Sequence, residues 1–305
     1  MKTTFSLLLL FAHGLLQAQE MKVTSGFVQR FENFKSAFVD ARNIDVWLPK
    51  GYNTAEKYAV IYMHDGQMLF DANTTWNKQA WEVDEVAGKL NAEGKVKKFI
   101  VVGIWNIAAK RHPEYFPQKP YESLTAVQKD TVTAQLQKAG RTKEVFKPYS
   151  DLYLKFLVTE LKPFIDKRFA TAPDKDNTFI AGSSMGGLIS LYAICEYPQV
   201  FGAAACISTH WPGIFAVENN PIPDAFYAYM RKQLPDPKTH RIYFDYGDQT
   251  LDALYPPLQK RADAVMTEKG FSDAHWTTQF FPGKNHSEEA WSERLHIPME
   301  FLLRK

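Results

Sequence analysis

Near the middle of the chain, Gly182-Ser183-Ser184-Met185-Gly186 has the G-x-S-x-G spacing that presents a serine hydroxyl for nucleophilic attack. A sharp strand-to-helix turn would hold Ser184 there, and glycines two residues before and after it would allow the close approach such a turn needs. A serine needs a base and an acid, which in this kind of site follow it in the order Ser, Asp/Glu, His. His286 lies in Phe281-Pro282-Gly283-Lys284-Asn285-His286-Ser287, at the end of a strand-like run and before a helix with Glu288 and Glu289 in its first turn. For the acid, Arg241 to Tyr246 reads as an alternating strand, with Gly247-Asp248-Gln249-Thr250-Leu251-Asp252 after it. Asp252 is favoured because a few residues of loop are needed to reach the histidine. Asp248 is the alternate, Asp245 lies inside the strand, and either loop aspartate could instead serve as a turn or helix-cap residue. Oxyanion donors are expected from the backbone N–H of Met185 and of Gln67, with Gly66 taking a positive φ to aim the latter.

These groups must be positioned by strands and helices, and the sequence alternates between the two. Strands are expected at 44–48, 58–63, 99–104, 178–181, 203–207, 241–246 and 276–281. Phe99-Ile100-Val101-Val102-Gly103-Ile104 is an unbroken apolar run, as in a strand covered on both faces. Helical stretches intervene, including an amphipathic one around Ala80–Ala87 and a long one from Tyr149 to Phe169 that Pro163 is placed to kink. The pattern predicts an α/β fold with a mostly parallel sheet covered by helices on both faces. All three catalytic candidates then fall at the C-terminal ends of strands, where such sheets carry their sites.

Taken together, Ile44-Asp45-Val46-Trp47-Leu48-Pro49, Met63-His64-Asp65-Gly66-Gln67-Met68-Leu69-Phe70-Asp71, Ala181-Gly182-Ser183-Ser184-Met185-Gly186-Gly187, the stretch from Gly247 to Tyr255 and Phe281 to Glu288 resemble the esterase family of the α/β-hydrolase fold. That family includes S-formylglutathione hydrolase and the enterochelin, acetylxylan and feruloyl esterases. The resemblance implies Ser184 as nucleophile, His286 as base and an aspartate after Gly247 as its orienter, in agreement with the residue-level reading. It also makes a carbohydrate ester the first substrate expectation and a siderophore ester the second. A non-catalytic ligand-binding module on the same fold is a reading from a different class.

Other classes find little support. Lys and Arg number 36 against 34 Asp and Glu, so no charge excess points to nucleic acid or an anionic membrane. Neither a phosphate-binding glycine loop nor metal-ligand histidine spacing occurs, and no cofactor or metal is expected. The partner implied is a small-molecule or glycan ester.

Two further segments are candidates for reading the substrate. The stretch 106–148 is longer than an ordinary connection and is expected to be a lid or recognition surface on a single domain spanning 19–305. In it, Arg111 could anchor an anionic or hydroxyl-rich group, or pair with Glu114. In Ser208-Thr209-His210-Trp211-Pro212, Trp211 could stack on a sugar or aromatic acyl group, or plug the core beneath the loop. His210 is a rival base but precedes the acid. At the N-terminus, Lys2 and the apolar run from Phe5 to Leu16, followed by Ala18, read as a secretory leader over 1–18, implying a periplasmic or secreted enzyme. Cys195 and Cys206 are read as unpaired core thiols.

Overall fold

The computed structural model describes residues 21–216 and 218–305; the expected leader lies outside them. Eight strands form one sheet: β1 (Phe27–Phe34), β2 (Arg42–Leu48), β3 (Ala59–His64), β4 (Phe99–Ile104), β5 (Thr178–Ser183), β6 (Ala203–Ile207), β7 (Arg241–Tyr246) and β8 (Trp276–Phe280). Their order is β1-β2-β4-β3-β5-β6-β7-β8. β1 and β2 run antiparallel to their neighbours, and all pairings from β4 to β8 are parallel. The expected strands are therefore present, with one antiparallel strand added at the edge.

Successive residues of a strand point to opposite faces, and the core divides accordingly. Val60, Tyr62, Ile100 and Val102 join one buried cluster, while Ala59, Ile61, Met63, Phe99 and Val101 join another on the opposite side of the sheet. This is why β3 and β4 read as continuous apolar runs: both faces are covered. Helix Met185–Glu196 is buried at every position but its last, so it too is apolar all round rather than striped.

The long helix expected over Tyr149–Phe169 is interrupted. Ser150–Phe156 and Lys162–Arg168 are α-helical, and a wider π turn, Leu157–Leu161, separates them. Pro163 cannot donate an amide hydrogen and its ring crowds the carbonyl four residues back, so the backbone widens just before it.

The 106–148 stretch has secondary structure of its own. It folds into helices Arg111–Tyr115, Gln118–Glu122 and Ala126–Lys138, the last closed by a capping box between Thr125 and Gln128. Tyr115, Phe116, Tyr121, Val132, Leu136 and Phe146 belong to the main core cluster. A buried ion pair, Arg42 Nη2 to Glu114 Oε1 at 2.7 Å, ties the first of these helices to β2. The stretch is thus packed into the domain and is not a detached cover.

Candidate active site

Ser184 sits between β5 and helix Met185–Glu196 with φ 58° and ψ −120°, a conformation that side-chain-bearing residues rarely adopt and that is characteristic of functional strain. Its amide donates to Ile207 O at 2.9 Å, pinning the turn to the end of β6. The two motif glycines are not equivalent. A Cβ on Gly182 would lie 2.8 Å from the Gly186 carbonyl, whereas one on Gly186 would meet nothing closer than 3.5 Å. Close approach is thus required at Gly182, and at Gly187, where a Cβ would lie 2.9 Å from Thr209 Oγ1.

On one side of Ser184, the loops after β7 and β8 lock together. A Cβ on Gly247 would fall 2.0 Å from Lys284 O, and that carbonyl accepts from the amides of both Asp248 and Gln249. His286 Nδ1 lies 2.6 Å from Asp252 Oδ1. Asp252 is fully buried, and its other oxygen accepts from Gly247 N at 2.7 Å and Ser208 Oγ at 2.7 Å. Burial alone would raise its pKa, but the His286 contact and these donors outweigh it and hold the carboxyl below its usual range. Asp248 points elsewhere: its Oδ1 accepts from Gly283 N at 2.8 Å and so braces the histidine loop through the backbone. Asp245 is buried against Arg294 at 3.0 Å.

Sequence reasoning missed Ser208 and Tyr255. Ser208, at φ 40°, accepts from Trp291 Nε1 and Arg294 Nη2, each at 3.0 Å, while donating to Asp252. Trp291 also meets the His286 ring edge-on, with centroids 4.9 Å apart. Tyr255 follows Asp252 by three residues across the 3₁₀ turn Thr250–Leu254, and residues at that spacing eclipse one another. Its hydroxyl lies 2.9 Å from His210 Nδ1. No hydrogen bond joins Ser184 Oγ to His286 in this structure; such contacts are commonly long before substrate binds. A signal was available for Ser208, which adjoins the His210–Trp211 pair, but none marked Tyr255 apart from its spacing to Asp252.

On the other side, the turn after β3 abuts the nucleophile turn: a Cβ on Gly186 would lie 3.5 Å from both His64 Cβ and Asp65 Oδ2. The expected positive φ falls on Asp65, at 59°, and not on Gly66. Gly66 is required for space instead, since its Cβ would meet the Gly103 backbone at 2.6 Å. A shared carboxylate explains the exchange. Asp65 receives Arg111 Nε and Nη2, both at 2.7 Å, and Asn106 Nδ2 at 2.6 Å, and these bonds hold a strained aspartate in place. Arg111 and Asn106 outweigh the burial that would raise the Asp65 pKa, and it is lowered. Asn106 N also donates to the Gln67 side chain at 3.1 Å. The amides of Gln67 and Met185 lie in the first turns of a short 3₁₀ segment and of helix Met185–Glu196, where backbone donors lack intrahelical acceptors.

The residues expected to read substrate are engaged within the protein, Trp211 in the core-plug alternative. Arg111 pairs with Asp65 and not with Glu114, which is taken by Arg42; the guanidinium therefore braces the turn after β3. Trp211 is fully buried, donates its indole N–H to Gln259 at 2.7 Å and packs on Tyr227 and Phe244. It is a core plug and offers no face for stacking. His210 is buried, and burial with the nearby His286 holds its pKa well below the usual value, so it is a neutral partner of Tyr255. An open hollow of about 640 Å³, lined in part by Lys138, Phe215 and Asn219, lies beyond His210, whose ring stacks on Phe215. Cys195 and Cys206 are buried free thiols. Among the described residues no group of side chains is arranged to hold a metal ion, and no helix is long and apolar enough to cross a membrane.

The family described as "Putative esterase" matches residues 36–297. An endo-1,4-beta-xylanase/feruloyl esterase of Xylanibacter ruminicola is 26% identical over 245 residues, covering 76% of this chain and 26% of the relative; the chain thus spans about a quarter of that protein's length. Among solved structures, a ferulic acid esterase superposes with a TM-score of 0.62 at 20% identity, covering 91% of this chain and 98% of the other. The enterobactin esterase of Shigella flexneri superposes at 0.57 with 14% identity, covering 90% and 58%. At these identities the structural likenesses show a shared α/β-hydrolase fold.

Proposed function

The chain belongs to this esterase family, and from that premise we propose that it is a serine carboxylic-ester hydrolase whose residues act in the following order. His286 Nε2 takes the Ser184 Oγ proton as the oxygen attacks the acyl carbonyl, while Asp252 holds Nδ1 and stabilises the imidazolium. The Gln67 and Met185 amides receive the developing oxyanion. His286 then returns the proton to the departing alcohol, leaving an acyl group on Ser184, and a water activated by the same histidine releases the acid. The observation that carries this reading is the 2.6 Å contact of His286 with a fully buried Asp252, beside a serine held at φ 58°.

The substrate proposed is a carbohydrate ester, acetyl or feruloyl; the names of the similar proteins support the feruloyl ester, and the acetyl ester rests on the sequence resemblance. A siderophore ester is the second reading, supported by the fold shared with the enterobactin esterase. The leader reading belongs to the same proposal, and sequencing the mature N-terminus would test it: a start at Gln19 supports export. The enzyme is tested with 4-nitrophenyl acetate and a panel of acetylated, feruloylated and siderophore esters. Turnover by the wild type that falls at least about 10³-fold in Ser184→Ala supports the mechanism; a wild type without turnover on any of them overturns it.

A further inference from the structure

The aromatic ring expected to contact substrate, Trp211, is buried, while another indole stands in the open. Trp76 is 84% exposed, within Asn73-Thr74-Thr75-Trp76-Asn77-Lys78-Gln79, on the chain that leaves the Gln67 turn. One contact of this segment, and one of the chain just after it, lead to the histidine. Asn77 Nδ2 donates to Glu288 Oε2 at 2.9 Å, and Glu288 follows His286 by two residues. Just past the segment, Trp81 packs on Trp291 with centroids 5.3 Å apart, and Trp291 in turn meets His286 at 4.9 Å. The segment therefore forms part of the rim between the turn after β3 and the His286 loop.

The segment is also fixed internally. Asp71 Oδ1 accepts from Asn73 N at 2.9 Å, Thr75 Oγ1 donates to Ala72 O at 2.9 Å, and Lys78 Nζ donates to Asn73 O at 2.8 Å. These bonds fix the backbone that carries Trp76, so a ligand settling on the indole has only the side chain to order. Its surroundings indicate which ligand. A protein partner would call for a contiguous apolar patch, but every neighbour of Trp76 in this segment is an amide, a hydroxyl or an amine. An exposed flat ring carried on a polar loop suits a molecule with C–H groups on one face and hydroxyls around its edge, which describes a sugar ring.

We infer that Trp76 is a stacking platform for a sugar at the mouth of the Ser184–His286 site, so that the alcohol part of the substrate is a glycan. The inference rests on the esterase reading above. The platform acts on the sugar alone, which separates substrates by whether they carry one. In Trp76→Ala, KM for a feruloylated or acetylated xylo-oligosaccharide rises about five- to tenfold with kcat within about twofold, the effect of losing one aromatic contact. Methyl ferulate and 4-nitrophenyl acetate are hydrolysed as by the wild type, and Trp76→Phe recovers most of the loss. An oligosaccharide-ester KM unchanged in Trp76→Ala overturns the platform and leaves the esterase standing. An equal loss on methyl ferulate places the ring on the acyl group and overturns the glycan assignment. A wild type without ester turnover sinks the esterase reading, and calorimetry with unesterified xylo-oligosaccharide then decides the platform: weaker binding in Trp76→Ala supports it, and equal binding or none in both proteins refutes it.

Discussion

The two sides of Ser184 are built on different principles. Behind the histidine, Asp252, Ser208, Arg294 and Asp245 form a buried network in which each polar atom has a partner. Across the serine, the turn after β3 is held by Arg111 and Asp65, whose side chains keep 30% and 11% of their exposure. Burial strengthens a hydrogen bond and raises the cost of leaving its partner unpaired, so the first side tolerates little change. Water can stand in for a lost contact on the second, which leaves it freer to be adjusted to the substrate.

The sharpest test of that contrast is at the acid. Asp252→Asn should lower kcat by about 10³- to 10⁴-fold with KM little changed, because the amide favours the wrong imidazole tautomer. Asp248→Asn, which alters only a bracing contact to Gly283 N, should stay within about threefold. Steady-state kinetics of the pair decides the assignment, and equal losses would break it.

Next in size is the shared turn. Gly182→Ala forces a methyl group onto backbone on a fixed element and should cost about 2–3 kcal/mol or more of stability, whereas Gly186→Ala meets only ordinary contacts and should cost less than about 1 kcal/mol. Urea unfolding of both variants measures the difference.

On the open side, Arg111→Gln should lower kcat/KM about tenfold through a loosened Asp65 turn, in keeping with a partly exposed charge pair. Raising the salt concentration should narrow that gap, and a loss as large as that of Asp252→Asn would erase the distinction between the two sides.

The last test concerns pH and the histidines that flank the Asp65–Arg111 pair, His64 and His112. Burial holds the pKa of His64 and of His112 at about 3, against an ordinary 6.5. Below 6.5 the unfolded chain takes up protons that the folded chain refuses, so this contribution is fully present above that pH and is lost as pH falls toward 3. The cost is about 1.4 kcal/mol per group for each pH unit. The melting temperature should therefore drop between pH 6 and pH 4, and His112→Gln should flatten the slope; an unchanged slope would show that His112 does not titrate across unfolding.

Legibility in the sequence followed how local each constraint was. The central strands were readable because the sheet is covered on both faces there, which writes their burial into consecutive residues. β1 carries no such run, because its edge position leaves it half exposed. Gly66 was read as the residue with positive φ, but a carboxylate clamped by Arg111 and Asn106 carries that strain instead, through partners some 40 residues away in sequence. Trp211 and Trp76 are the same residue type in comparably polar surroundings, and no local pattern says which one the core absorbs.

By itself the sequence determined the α/β alternation, the serine turn and the histidine at a strand end, since each follows from glycine placement, apolar periodicity and chain order over a few residues. Only the tertiary structure decided that Asp252 and not Asp248 meets His286, that Arg111 holds Asp65, and that Trp76 faces solvent while Trp211 is buried. Those outcomes depend on which distant groups pack together, and packing among distant segments leaves no mark on the spacing of neighbours in the chain.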